Sequence, residues 1–216
     1  MRKIVALSGF KGCGKDTVGQ IFCEKLGFKA VSFAQPLKAA LCAMCGWHPH
    51  MLQGQTPQSR MWREQTDIFW SKQFGRPLTP RMIMQEFGTD IVRCHMLDNF
   101  WTASTQKLIE DLAPASIVVT DARFPNELNM VKSLGGHTIR IQRDMDPEWF
   151  DKAAAINKSH FIWKQLQLMF DPHLKKLHPS EREWIGYDFD HVIFNNSSLQ
   201  HLERQIFELH DQIFAH

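Results

Sequence analysis

The segment Gly9-Phe-Lys-Gly-Cys-Gly-Lys-Asp-Thr17 follows a short apolar run, Ile4-Val-Ala-Leu-Ser8, and precedes a helical pattern with apolar residues at Val18, Ile21, Phe22 and Leu26. Glycines let the backbone curl so that successive N–H groups point inward and bind phosphate oxygens. The N-terminus of the following helix adds partial positive charge, and a lysine at this place reaches the β- and γ-phosphates. The sequence therefore predicts an ATP phosphate-binding loop formed by Gly12, Cys13, Gly14, Lys15, Asp16 and Thr17.

Asp16 is the irregular position of this loop, because Ser or Thr normally occupies it and gives a hydroxyl to Mg²⁺. A carboxylate is also a good ligand for a hard cation, directly or through water, and the helix N-terminus offsets its charge. The sequence therefore predicts that Asp16 helps to hold Mg²⁺ and that Thr17 contacts the ATP phosphates.

The composition limits the classes of partner. The chain has 216 residues, 44% of them hydrophobic and 22% charged, which is typical of one globular domain or one domain with a sizeable insertion. A net charge of +2 gives no general signal for nucleic acid or membrane, so small-molecule partners are predicted. Five irregularly spaced cysteines favour a reducing compartment, and no apolar stretch is long enough for a signal peptide or a membrane span. A cytoplasmic location follows as an expectation.

One cysteine pair suggests an alternative. Cys42 and Cys45 are followed by His48 and His50, and all four are residue types that bind zinc. However, an apolar helical stripe runs through the same segment and ends at Gly46, a plausible helix stop. Such crowded ligands would converge poorly on a tetrahedral metal, so core packing is the favoured interpretation.

Five apolar segments have the character of buried parallel strands, at residues 3–7, 28–33, 116–120, 137–141 and 190–195. Helix-period patterns lie between them, so the fold class is α/β, with a P-loop NTPase-type parallel sheet of about five strands and flanking helices. Two segments exceed this array: an all-helical insertion at about 35–112 and a polar segment at about 144–188. The core is then residues 1–34, 113–143 and 189–216. We expect the insertion to bind the phosphate acceptor and the polar segment to be a mobile lid that excludes water.

Asp121 ends the apolar run that begins at Ile117. A carboxylate at the carboxyl end of a parallel strand lies at the sheet edge where ligands bind, and in phosphate-loop enzymes it positions Mg²⁺. Arg123, two residues later, has the reach to bind a transferring phosphoryl group bidentately. A simple turn and a surface ion pair are the alternatives, and the phosphate loop makes function the favoured one for both residues.

Arg81 and Gln85 are one helical turn apart in a segment that Thr79 and Pro80 are expected to begin. An arginine with a planar amide beside it can hold a phosphate or the edge of a base. On composition alone, a solvated helix face is an equal alternative.

Six sequence blocks with charged or polar residues run in order from residue 9 to residue 196: Gly9-Phe-Lys-Gly-Cys-Gly-Lys-Asp-Thr17, Phe33-Ala-Gln-Pro-Leu-Lys38, Leu78-Thr-Pro-Arg81 with Gln85 and Gly88-Thr-Asp90, Thr120-Asp-Ala-Arg-Phe-Pro-Asn-Glu127, His178-Pro-Ser-Glu181, and Asp190-His-Val-Ile-Phe-Asn-Asn196. Together they resemble the bacteriophage deoxynucleoside monophosphate kinase family. Lys-Asp-Thr in place of Lys-Ser-Thr is part of that family's pattern. The long polar segment departs from it, with an extra stretch at about 150–176.

The resemblance implies transfer of the ATP γ-phosphate to a deoxynucleoside monophosphate (dNMP) with Mg²⁺, which supplies DNA precursors in the cytoplasm of an infected host cell. It implies a catalytic set of Lys15, Asp16, Asp121 and Arg123, with Asp16 and Asp121 as metal ligands. The implied substrate-binding set is Lys38, Arg81, Gln85, Asp90, Trp101, Arg123, Glu127, Ser180 and Glu181. A homodimer is compatible with the resemblance.

Other functions stay open on the sequence. The main alternative is another small-molecule kinase on the same core, acting on a nucleoside, a coenzyme precursor or phosphomevalonate. A nucleotide-dependent switch or a DNA-binding module is disfavoured, because the sequence has neither a guanine-reading Asn-Lys-x-Asp block nor a basic stripe.

Overall fold

The computed structural model describes residues 2–214, which form two compact units. The first unit comprises residues 2–32 and 109–214, and the second is Phe33–Leu108. Along the chain, the described helices are α1 (Lys15–Leu26), α2 (Ala34–Cys45), α3 (Pro49–Gln53), α4 (Pro57–Glu64), α5 (Ile68–Phe74), α6 (Pro80–Gln85), a π-helix (Glu86–Met96), α7 (Phe100–Asp111), α8 (Pro125–Ser133), α9 (Phe150–Lys158), α10 (Phe161–Phe170), α11 (Pro172–Lys176), α12 (Pro179–Arg182) and α13 (Leu199–Phe214).

The first unit is built on one sheet of five parallel strands: β1 (Ile4–Ser8), β2 (Lys29–Val31), β3 (Ile117–Val119), β4 (His137–Gln142) and β5 (His191–Phe194). Their order is β2-β3-β1-β4-β5, with Val5 of β1 opposite Val118 of β3 and His137 of β4. All five residues of β1 are buried, as expected for a central strand covered on both faces. The predicted α/β class and the five parallel strands are confirmed, with strand ends within two residues of those expected.

One face of this sheet packs against α1 and α13. Val18 and Phe22 of α1 and Ile206 of α13 are fully buried against Leu7 of β1 and Ile139 of β4. The glycine-rich loop connects the carboxyl end of β1 to the N-terminus of α1. The strands on either side of β1, β3 and β4, run parallel to it, so their carboxyl ends lie at the same edge of the sheet.

The second unit is helical. Its buried cluster is formed by Leu41, Trp47, Leu52, Leu78 and Ile83. Cys42 and Cys45 pack against this cluster, and burial raises the pKa of both thiols. The packing agrees with the interpretation of these cysteines as core residues.

Segment 144–188 differs from the polar segment expected. It contains four helices, α9 to α12, around a buried cluster of its own: Ala153, Ile156, Leu168, Leu174, Trp184 and Ile185. These residues come from three short helices and from the turn after α12, so the sequence shows no single long apolar stripe and its many charges dominate the pattern. Within residues 2–214, no helix has both the length and the apolar character that a membrane span requires.

Candidate active site

The loop between β1 and α1 depends on two glycines with left-handed or related backbone conformations. Gly9 has φ 140°, and a Cβ there would lie 2.3 Å from the Ile141 carbonyl oxygen. Gly14 has φ 98°, and a Cβ there would lie 2.3 Å from Nδ2 of Asn195. Only glycine adopts these conformations without strain and leaves this space free, so the loop is closely packed on the ends of β4 and β5.

Lys15 begins α1 and points back into the loop. Its Nζ donates to the carbonyl oxygens of Gly9 and Phe10, both at 2.7 Å, and lies 3.6 Å from Sγ of Cys13. Burial lowers the pKa of the ammonium group, and the positive charge of Arg123 acts in the same direction. Two predicted catalytic cations therefore lie close enough for their charges to interact.

Asn195, at the end of β5, also belongs to this site, although sequence reasoning gave it no role. Its Nδ2 donates to the Cys13 carbonyl oxygen at 2.9 Å and covers Gly14. This contact fixes the middle of the loop against the sheet. The sequence signal was Asn195-Asn196 directly after an apolar strand, but an amide pair there is equally typical of a turn.

Glu127 holds the segment that carries Arg123. Its carboxylate is buried, and Oε2 accepts from the backbone N–H groups of Arg123 at 2.8 Å and Phe124 at 3.2 Å. The side chain therefore caps the start of α8 and fixes the backbone at Arg123. Asp121 is half-buried two residues before Arg123, at the end of β3.

The donor set at this edge suits a hard cation. Asp16 is exposed in the first turn of α1, Thr17 follows it, and Asp121 leaves β3. Carboxylate and hydroxyl oxygens fit Mg²⁺, which takes one or two carboxylates together with phosphates and water. No group of three or more His, Cys, Asp or Glu side chains that could hold a metal occurs among residues 2–214.

A cavity of about 280 Å³ opens next to the loop, at the carboxyl ends of β4 and β5. Its lining includes Thr17 of the loop, Arg143 and Asp144 after β4, and Asn196 after β5. The size and the mixed polar lining suit part of a small organic ligand bound beside the loop.

In the second unit, Thr79 caps α6 by accepting from the N–H of Met82 at 3.2 Å, so Arg81 lies in the first turn. Arg81 pairs with Glu64 across 2.9 Å. Arg63 is close by: burial lowers its pKa, and the charge of Arg81 lowers it further.

Arg63 was missed by sequence reasoning. Its guanidinium packs against Gly54, where an added Cβ would lie 2.2 Å from Cζ, and within residues 2–214 its buried Nε has no hydrogen-bond partner. In the sequence it is one of several charged residues of α4, and nothing marks it as the one whose Nε is buried.

The other predicted substrate residues of the second unit have different environments. Nζ of Lys38 lies 3.3 Å from Oε1 of Gln53. Gln85 ends α6 and Asp90 lies in the π-helix, and both are exposed. Trp101 is buried, and its indole N–H donates to the Gly88 carbonyl oxygen at 2.8 Å. Trp101 is therefore part of the framework that holds the π-helix.

Ser180 and Glu181 lie in α12 of the first unit and are half-buried. His178 caps this short helix, since its Nδ1 accepts from the N–H of Ser180 at 3.2 Å. Among the predicted site residues of the first unit, the charges of Lys15 and Arg123 thus interact at the glycine-rich loop. Ser180 and Glu181 lie in the helical segment 144–188.

The family model described as deoxynucleotide monophosphate kinase matches residues 51–155. A protein of Acanthamoeba polyphaga mimivirus, provisionally named a deoxynucleotide monophosphate kinase, is 33% identical over 151 residues, which cover 65% of this chain and 74% of that protein. Similar solved structures include dephospho-CoA kinase from Campylobacter jejuni, which is 14% identical over 99% of this chain and 98% of its own, with a TM-score of 0.45. Shikimate kinase from Aquifex aeolicus is 16% identical over 99% of each chain, with a TM-score of 0.44.

Proposed function

Because the chain belongs to the deoxynucleotide monophosphate kinase family, we propose that it transfers the γ-phosphoryl group of ATP to a dNMP and yields ADP and the deoxynucleoside diphosphate. One observation supports this most directly. Lys15 is buried in a glycine-rich loop at the N-terminus of α1, and the charge of Arg123 acts on it from the end of β3. Two converging cations beside a set of backbone N–H groups suit a polyphosphate that carries several negative charges.

ATP is the phosphate donor. We assign its phosphates to Gly12, Cys13, Gly14, Lys15, Asp16 and Thr17, and its nucleoside to the cavity that Thr17 and Arg143 line. The Lys15 ammonium donates to two carbonyl oxygens of its own loop. Phosphate oxygens replace these neutral acceptors with charged ones, which make stronger hydrogen bonds.

We assign the monophosphate of the acceptor to Arg81 together with Arg63. The buried Nε of Arg63 is a donor without a partner among residues 2–214, and such a group is costly unless a ligand satisfies it. The two like charges also repel each other, and a phosphate relieves that repulsion. Lys38, Gln85, Asp90, Ser180 and Glu181 remain proposed substrate contacts. We assign structural roles to Trp101 and Glu127, because both are buried and form hydrogen bonds with the backbone at Gly88 and Arg123, respectively.

In the proposed reaction, a phosphate oxygen of the dNMP attacks the γ-phosphorus and the bond to the β,γ-bridging oxygen breaks, which leaves ADP. Little covalent chemistry is asked of the protein, so positioning and charge stabilisation carry the rate. Lys15 and Arg123 stabilise negative charge on the transferring group and the leaving oxygen. Asp16 and Asp121 would hold Mg²⁺, which, when bound, offsets negative charge on the ATP phosphates.

Three further proposals concern the lid, the cellular location and the partners. Segment 144–188 acts as a mobile lid, supported by its separate small core. The enzyme works in the cytoplasm of a host cell, supported by its five free cysteines. Its partners are nucleotides, and the chain itself pairs as a homodimer.

The decisive experiment is ATP- and Mg²⁺-dependent ADP formation with a panel of dNMPs, NMPs, nucleosides and coenzyme precursors. Lys15→Ala, prepared in the same way, controls for contaminating kinases. We expect one or more dNMPs to support turnover that the variant lacks. Turnover with only a nucleoside or a coenzyme precursor would refute the proposed acceptor.

A further inference from the structure

Phe10, the second residue of the glycine-rich segment 9–17, is half-buried and packs its ring against the small core of segment 144–188. The ring makes edge-to-face contacts with Trp184 (centroids 4.8 Å apart), Trp149 (5.7 Å) and Phe150 (6.1 Å). Aromatic rings prefer this geometry because the positive edge of one meets the negative face of another, so the contacts are directional. A loop that binds phosphate through its backbone does not itself need a large side chain here.

The backbone of Phe10 serves the loop. Its carbonyl oxygen accepts from Nζ of Lys15 at 2.7 Å and from the Cys13 N–H at 3.3 Å. The same residue therefore joins the Lys15 ammonium to the aromatic cluster of segment 144–188.

The cluster is anchored on one side and has space on another. The Arg140 guanidinium of β4 lies over the rings of Phe150 and Trp184, at 4.5 and 5.6 Å, and pairs with Asp146. A cavity of about 430 Å³ borders the same two rings. The rings therefore have a fixed base on the sheet and room to repack when the helices of the segment move.

We propose that Phe10 is a positioning residue that couples the position of segment 144–188 to the position of Lys15. The inference rests on the proposed function, in which ATP occupies the loop and the segment is a lid. When the lid closes, the Phe10 ring moves with the cluster and its carbonyl turns away from Lys15, so the ammonium is free to bind phosphate. Conversely, phosphate that binds Lys15 favours the closed lid.

The test is amide hydrogen exchange with and without a non-hydrolysable ATP analogue, in wild type, Phe10→Ala and Phe10→Leu. Phe10→Leu keeps apolar volume and guards against misfolding of the alanine variant. Phe28→Leu is the matched control, since Phe28 packs edge-to-face on Phe22 (centroids 5.1 Å apart) in the main core. We expect the analogue to slow exchange in the loop and in residues 149–156 and 184–189 of wild type and Phe28→Leu. Both Phe10 variants should keep the loop protection and lose the protection of the segment.

Turnover gives a second readout. Phe10→Ala should lower kcat by about tenfold, from the loss of three ring contacts that position the loop, with the KM of the dNMP unchanged. Equal protection of the segment in wild type and both Phe10 variants would overturn the coupling and leave the kinase proposal intact. Absence of any loop protection in wild type would instead refute the donor site.

A second inference has an independent origin, in α10. This helix buries Leu168. Besides Phe161 at its first position, it exposes five large apolar side chains that lie together on its surface: Ile162, Trp163, Leu166, Met169 and Phe170. Their spacing of three and four residues places them on one stripe opposite Leu168. With about 200 Å² for each fully exposed side chain, the stripe exposes on the order of 600 Å². A standard protein interface buries about 800 Å² of surface on each partner, so the exposed area of the stripe is of similar size.

We infer that a second copy of this chain covers the stripe; the inference rests on the homodimer of the proposed function and assigns its interface to α10. The α10 residues that flank it, Gln165 and Gln167, are uncharged, and Lys164 is paired with Glu183 on its own chain. Two copies of the stripe can therefore meet without like-charge repulsion. A membrane surface fits less well, because α10 offers no unpaired cation beside the stripe, although Lys175 and Lys176 are exposed on α11.

Sedimentation across a concentration series tests the inference. Wild type and the control Ile68→Glu, which changes an apolar residue that is 84% exposed on α5, should both sediment as dimers. Leu166→Glu with Phe170→Glu should sediment as a monomer. A wild-type monomer at all concentrations, or a double variant that still dimerises, would overturn it. So would wild type that stays monomeric and binds anionic vesicles through α10.

Discussion

In the phosphate loop, Lys15 donates to the carbonyl oxygens of Gly9 and Phe10, and these two hydrogen bonds hold its ammonium group within the loop. Lys15→Ala removes the donor without leaving a buried charge unpaired, and we expect the fold to persist. The kcat should fall by about 10²–10³, the usual effect of losing one preorganised contact to developing charge. Steady-state turnover checks this, with Lys25→Ala, an exposed lysine of the last turn of α1, as the control. A folded Lys15→Ala with near-normal kcat would contradict the loop assignment.

Arg81 and Arg63 are expected to act on the acceptor. Arg81→Ala should raise the KM for the dNMP by roughly ten- to a hundredfold, because a charge-assisted hydrogen bond contributes about 1.5–3 kcal/mol. Arg63→Lys keeps the charge but loses the planar fork, so it should also raise that KM. Arg60→Ala on the same helix is the control, since Arg60 is exposed and its guanidinium donates to the Gln55 carbonyl oxygen at 3.2 Å. A rise in the KM for ATP would move the two arginines to the donor site.

Asp16 gives a prediction about metal dependence. Its carboxylate repels the ATP phosphates unless a cation lies between them, so donor and metal should bind in a coupled way. Asp16→Asn should raise the Mg²⁺ concentration needed for half-maximal rate, and Thr17→Ala should mainly weaken ATP. A Mg²⁺ titration at saturating ATP checks both. An unchanged midpoint in Asp16→Asn would leave Thr17 or Asp121 as the anchor of the metal.

At the scale of elements, the strands were predictable and the small helical core of segment 144–188 was not. A buried parallel strand is a continuous apolar run, as in Ile117–Val119, and such a run is visible in the sequence. The segment's buried apolar residues are spread over α9, α10, α11 and the turn after α12, and only their tertiary packing makes them a cluster. The π-helix was also unpredictable, because its apolar spacing is close to that of an α-helix.

The site divides in the same way. The glycines that the loop backbone requires make Lys15 predictable from the sequence. Arg63 and Asn195 are common residue types, and no motif around them indicates their contacts. Sequence blocks also do not separate a residue that contacts a ligand from one that holds the frame. Trp101 and Glu127 were predicted to bind substrate. Each is buried, the Trp101 indole N–H donates to the Gly88 carbonyl oxygen, and Oε2 of Glu127 accepts from backbone N–H groups.

Trp101 permits a test at the scale of the π-helix. Trp101→Phe keeps a ring in the buried site but leaves the Gly88 carbonyl oxygen without its donor, which should destabilise the protein by about 1–3 kcal/mol. Chemical denaturation measures this, and the KM for the dNMP should stay close to that of wild type. Wild-type stability combined with a raised KM would instead make Trp101 a substrate contact.

At the scale of the whole molecule, the proposed donor loop and the proposed acceptor arginines belong to different compact units. The described donor residues, from Gly12 to Thr17, belong to the first unit, and Arg63, Arg81 and Gln85 belong to Phe33–Leu108. A ligand stabilises the part of a protein that binds it, by about 2.7 kcal/mol when its concentration is a hundred times its Kd. The donor should therefore stabilise the first unit, and the acceptor should stabilise the second unit.

Amide hydrogen exchange with each ligand alone should resolve these marks. A non-hydrolysable ATP analogue should slow exchange in the loop and α1, and a dNMP should slow exchange in α4, α6 and the π-helix, because those helices carry the proposed acceptor contacts. Arg81→Ala is the control, since it should abolish the second pattern and leave the first. Protection of α4 and α6 by the ATP analogue alone, with none from any dNMP, would reverse the assignment. The helical unit would then be part of the donor site, and the acceptor would have to bind within the unit that contains the sheet.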